Sequence, residues 1–140
     1  MNQKRRVFSV VVAAVIIKEK KVLLLKRREE DVYPGIWELP SGKREFGETS
    51  IEALVREMKE ETGLSVVVDR PISVFEYTVE TPTEIRDATQ INFLVHLLHP
   101  EEKVVLKEHE TARWFSKEEL YTLDNITEEV KKCIIKALDD

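Results

Sequence analysis

Residues 49–63, TSIEALVREMKEETG, carry both the start and the stop of a helix. Thr49 followed three residues later by Glu52 has the spacing of a capping box, in which each side chain satisfies the other's backbone N–H. Gly63 can adopt the left-handed conformation that closes a helix. The spacing therefore predicts a helix over residues 49–62. Within it Ile51, Leu54, Val55 and Met58 recur at i, i+3, i+4 and i+7, a stripe expected to pack on a sheet. Glu57, Glu60 and Glu61 fall within roughly 100° of one another on a different face. Three like charges at that spacing repel when ionised, and hard divalent cations such as Mg²⁺ or Mn²⁺ take oxygen ligands of this type. A bound cation would offset the repulsion; a merely solvated acidic face is the competing reading.

The rest of the chain supplies the sheet. Strands are expected at residues 8–17, 22–26, 65–68, 73–79, 91–98 and 112–115, from apolar and β-branched runs bounded by turn residues. The first, within KRRVFSVVVAAVII, imitates a signal peptide, but it is too short to span a bilayer as a helix and its Val and Ile content favours an interior strand. KEKK then supplies a turn. The stretch EDVYPGIWELPSG, with its Pro and Gly residues, reads as a loop. A second helix over residues 127–138 packs through Val130, Cys133, Ile134, Ala137 and Leu138, which makes Cys133 a core residue and not a nucleophile. Strands interleaved with amphipathic helices imply an α/β fold, an α/β/α sandwich with a central mixed β-sheet.

Composition narrows the function. At 140 residues with no linker or repeat, the expectation is one domain over residues 1–140. A net charge of −5 argues against stable nucleic-acid binding, which needs a basic face. Cys133 is the only cysteine, so no intrachain disulfide can form, and this suits a reducing, cytoplasmic setting without a membrane partner. His96, His99 and His109 show no zinc-site pattern. The loop PSGKREFGE before the first helix lets backbone approach a ligand closely and adds Lys43 and Arg44. Carboxylates, loop amides and cations together suit a diphosphate.

The whole stretch resembles the Nudix box of the MutT-type hydrolases, G-x5-E-x7-R-E-U-x-E-E-x-G-U with U bulky and apolar. Gly42, Glu48, Arg56, Glu57, Met58, Glu60, Glu61, Gly63 and Leu64 fill every specified position. The preceding PGIWELPSG is similar to the family's approach to the box, with Ser41 where a second glycine is usual.

The resemblance implies roles. Glu57, Glu60 and Glu61 would hold Mg²⁺ or Mn²⁺, joined by a backbone carbonyl of Ser41 and by Glu108, six residues before Trp114, with Glu110 as Glu108's competitor. One of these acids or a neighbour would orient water. Arg56 would be the structural partner of Glu48, and Gly42 and Gly63 would shape the loop and the helix end. Arg27, Lys43 and Arg44 would meet substrate phosphates, and Trp37 or Phe46 would stack on a base. Asn125 has capping-box spacing to Glu128, which competes with a base-reading role.

The implied activity is hydrolysis of a nucleoside diphosphate linked to another moiety. The favoured case is a nucleoside triphosphate, oxidised purine forms included, giving monophosphate and pyrophosphate. ADP-ribose or another nucleotide sugar is the alternative substrate; a non-catalytic nucleotide sensor is the alternative of another class. Relatives acting on ADP-ribose resemble one another in a proline about fifteen residues past the box, where this chain has Val79. The expected partner is a small nucleotide, with the chain a monomer or homodimer.

Overall fold

The first apolar run forms β1 (Arg5–Lys18), and both of its faces are buried from Val12 to Ile16. A strand covered on both faces must be apolar at every position, which is why VVAAVI shows no alternation. A computed structural model of the chain describes residues 3–30, 33–109 and 111–139. β1 turns through Glu19 and Lys20, both at positive φ, into β2 (Lys21–Lys26). Two short strands follow inside the stretch expected to be loop, β3 (Trp37–Glu38) on β2 and β4 (Ser41–Lys43) on β1. Then come α1 (Ser50–Thr62), β5 (Val66–Glu80), β6 (Glu84–Leu97), β7 (Thr111–Ser116), α2 (Lys117–Thr122) and α3 (Glu128–Asp139).

The sheet runs β3-β2-β1-β6-β5, with β4 also on β1 and β7 on β2. It is mixed: β1 and β6 are parallel from Arg5↔Glu84 to Ile16↔Val95, and the other pairings are antiparallel. Alternate residues of β1 feed two cores. Ala13 and Val15 join Val22, Leu24 and Phe115 under α3, whereas Val12, Ala14 and Ile16 join Leu23, Leu25, Phe93 and Val95 under α1. The layers are those of an α/β/α sandwich.

Both predicted helices form. Thr49 caps α1 with the full reciprocal pair to Glu52, and Gly63 closes it at φ 76°. The packing stripe differs from expectation: Leu54 and Met58 are buried with Ala53 and Thr62, but Ile51 is 53% and Val55 40% exposed. In α3, Val130, Cys133, Ile134 and Ala137 are buried as expected, with Leu138 packed partly against them.

Besides β3 and β4, three elements depart from the sequence reading. The strands expected at residues 65–68 and 73–79 are one, because β5 is an edge strand whose register shifts at Val68/Arg70 and Pro71/Ser73 absorb the proline. β6 begins seven residues before residue 91, where polar cross-strand pairs such as Thr78 with Asp87 and Tyr77 with Gln90 replace the apolar signal. α2 was not anticipated, although Ser116 and Glu119 form a complete capping box. Asn125 does not cap α3. Its Nδ2 donates to the Gly35 carbonyl at 2.6 Å and its own carbonyl accepts from Trp37 N–H at 2.8 Å, pinning the 33–40 loop, while the first turn of α3 closes on Thr127.

Candidate functional site

α1 presents its acidic face beside β4, and one glycine sets how closely. A Cβ on Gly42 would stand 2.0 Å from the Glu57 carboxyl carbon, so only a residue without a side chain lets Glu57 lie across the strand. β4 also orients two carbonyls. Ala14 N–H donates to Pro40 and Arg44 N–H to Val10, and the alternation of an antiparallel ladder then turns the carbonyls of Ser41 and Lys43 away from β1. Arg56 Nη2 accordingly donates to the Lys43 carbonyl at 3.1 Å.

Arg56 is the hub of the box. Its Nε and Nη2 hold the two oxygens of Glu48 at 3.1 and 2.7 Å, and its Nη1 reaches Glu57 Oε1 at 2.8 Å and Glu60 Oε2 at 3.1 Å. The Arg56 hydrogen bond, with the Glu45 N–H, holds the Glu48 carboxyl down at about 2. Glu57 shifts the other way: burial raises its pKa, against the opposing pull of Arg56.

Glu57, Glu60 and Glu61 share a cavity of about 70 Å³ with Lys107 and Glu108. Two distant segments thus bring together the four acids proposed from the sequence. Glu110 lies outside the described residues. Among the described residues no three such groups form a ready-made coordination set. Arg56 draws Glu57 and Glu60 to itself, and His109 Nδ1 lies 2.9 Å from Glu61 Oε1. The donor chemistry nevertheless fits a hard divalent cation, with several carboxylates round one small cavity and Gly42 leaving room for Glu57.

His109, Glu38 and Lys107 are site residues that the sequence did not reveal. His109 is 10% exposed at its side chain, and its Nε2 contacts Glu38 Oε2 at 2.8 Å. The Nδ1 contact to Glu61 is close but poorly aligned: no acceptor lies along the ring N–H, so it acts as an ion pair at short range. Burial depresses the imidazole pKa, but the hydrogen bond to Glu38 and the close negative charge of Glu61 outweigh it and lift it to about 9. Glu38 also receives Arg27 Nη1 at 3.2 and 3.4 Å. Spacing alone cannot show that His109 in EHE meets a carboxylate in WELP.

The other proposed residues sit apart from this cavity. Lys43 and Arg44 line a separate open groove of about 1160 Å³ with Phe46, Tyr77 and Arg86. Burial, then the Arg86 charge, lowers the Lys43 pKa. Arg44 Nε donates to the Glu48 carbonyl at 2.6 Å. Phe46 is fully exposed. Trp37 packs edge-on against Phe115, 4.9 Å between centroids at 77°, and Lys26 lies 6.0 Å from its ring.

No helix among the described residues is long and apolar enough to cross a membrane. The NUDIX domain family model matches residues 7–138. Nucleoside triphosphatase NudI of Enterobacter sp. (strain 638) is 31% identical over 100 residues, 66% of this chain and 70% of that protein. Human 8-oxo-dGDP phosphatase NUDT18 is 52% identical over 42 residues, 30% of this chain and only 13% of that much longer protein. The crystal structure of a MutT protein from Methanosarcina mazei Go1 superposes with a TM-score of 0.71 at 25% identity, covering 99% of this chain and 96% of that one. With the box complete, its acids gathered and the match spanning residues 7–138, the chain belongs to the NUDIX domain family and is a Nudix hydrolase.

Proposed function

We propose that this chain hydrolyses nucleoside triphosphates, oxidised purine forms included, between the α and β phosphates to give monophosphate and pyrophosphate. The observation that carries the reading is the gathering of Glu57, Glu60, Glu61 and Glu108 round one cavity beside the glycine-rich loop. These four, with the Ser41 carbonyl, are the groups that would hold Mg²⁺ or Mn²⁺. When bound, the ion would supply Lewis-acid polarisation of phosphoryl oxygens and a lowered pKa for bound water.

The chain's own groups do the rest. A carboxylate of the cluster left off the ion orients water and takes its proton as the water oxygen bonds to phosphorus and the bridging P–O bond breaks. Arg27, which holds Glu38, and Lys43 and Arg44, which line the separate groove, are the cations assigned to the part of the phosphate chain that extends beyond the acid cavity. The relatives support a nucleotide substrate, one named as a nucleoside triphosphatase and one as an 8-oxo-dGDP phosphatase. Val79 lies within β5, where the resemblance to ADP-ribose enzymes would ask for a proline. A complete set of box acids argues against a sensor that has lost turnover.

The test compares kcat/KM for dGTP, 8-oxo-dGTP, CTP and ADP-ribose with Mg²⁺ and after chelation. Triphosphate cleavage that chelation abolishes is expected, and Glu60→Gln or Glu61→Gln should lower kcat on the order of 10³-fold, roughly 4 kcal/mol of barrier. A tenfold preference for ADP-ribose overturns the substrate, and turnover unaffected by chelation overturns the metal.

A further inference from the structure

A line of contacts crosses four segments of the fold beside the carboxylate cavity. Arg27, following β2, holds Glu38 of β3 at 3.2 Å; Glu38 holds His109, in the segment before β7, at 2.8 Å; His109 holds Glu61 of α1 at 2.9 Å. His109 is the only member of this line that touches both β3 and α1. Its Nδ1 lies 2.9 Å from Oε1 of Glu61. A carboxylate fixed through one oxygen is oriented to offer the other.

We propose that His109 is a positioning residue that bridges Glu38 and Glu61, fixing the Glu61 carboxylate for a divalent cation and tying it to the Glu38–Arg27 pair. The proposal rests on the metal reading above. Groups that hold a metal ligand from behind act on affinity through geometry, and their loss weakens binding about 10- to 100-fold. Arg56 plays a different part, since it grips Glu57 and Glu60 and leaves Glu61 to His109.

The test titrates the protein with Mn²⁺ alone, reading free Mn²⁺ by electron paramagnetic resonance, for wild type, His109→Ala, Glu38→Gln and the double variant. His109→Ala should weaken Mn²⁺ binding about 10- to 100-fold. Glu38→Gln should weaken it in the same direction, and the double variant should bind no worse than His109→Ala, because both act through one bridge. In turnover, excess Mg²⁺ should restore most of kcat to His109→Ala, a rescue that a misfolded variant would not show. Unchanged or tighter Mn²⁺ binding in His109→Ala overturns the role assigned to His109 while the metal reading stands. A wild type that binds no Mn²⁺ overturns both.

Discussion

Arg56 grips Glu48 with two parallel arms, Nε to Oε2 at 3.1 Å and Nη2 to Oε1 at 2.7 Å, eight residues apart and across the turn that begins α1. This fork fixes the loop to the helix, and the remaining nitrogen, Nη1, holds Glu57 and Glu60 in place. One side chain therefore does two jobs, architectural and electrostatic.

Removing it should cost both. Arg56→Ala is expected to lower the melting temperature by several degrees and to lower kcat, because Glu48 loses its partner and Glu57 and Glu60 repel without a cation between them. Arg56→Lys should recover little, since an ammonium cannot make the planar two-armed contact. Thermal melts and steady-state kinetics on both variants check this. A melting temperature unchanged by Arg56→Ala would remove the architectural role.

Gly42 separates geometry from stability. The new methyl of Gly42→Ala would overlap the Glu57 carboxyl, which sits on a side chain able to swing away. The fold should survive with a small change in melting temperature, but displacing Glu57 by even an ångström should cost on the order of 10² in kcat. If kcat holds within twofold, Glu57 is not needed where the structure puts it.

The contrast between these residues and the ones found only in the structure shows what a sequence can carry. The Glu48–Arg56 pair and the Glu57, Glu60, Glu61 face all lie within about three turns of one helix and its short lead-in, so local geometry sets their positions. The α1 cap and the Cys133 stripe are legible for the same reason. Glu38 and His109 are seventy-one residues apart and meet only because β3 and β7 both pair with β2. No local period encodes that meeting. Asn125 has capping-box spacing without capping, because a capping signal is a local preference and the Gly35 carbonyl brought close by the fold takes the same side-chain amide. Ile51 and Val55 fit a packing stripe by spacing yet stand 53% and 40% exposed, since spacing gives a face and not what covers it.

Cys133 gives the last prediction, which tests the core under α3. It faces β5 from α3, 5% exposed, with the Ser73 hydroxyl donating to its sulfur at 3.3 Å. Burial raises the thiol pKa, against a smaller opposing effect of that hydrogen bond. The folded chain therefore keeps the thiol protonated to higher pH than the unfolded chain does. Since the thiolate is the reactive form, alkylation of the native protein at neutral pH should be slow and should become fast on adding denaturant. The same shift sets a sign for stability. As pH rises past 9.0, the unperturbed thiol value, the unfolded chain loses a proton that the native chain retains, so this group's contribution to folding falls with increasing pH. Cys133→Ala should abolish that part of the alkaline decline while leaving nucleotide turnover intact. Rapid stoichiometric alkylation of the native protein at pH 7, without loss of structure, would show that α3 does not seal this side of the sheet.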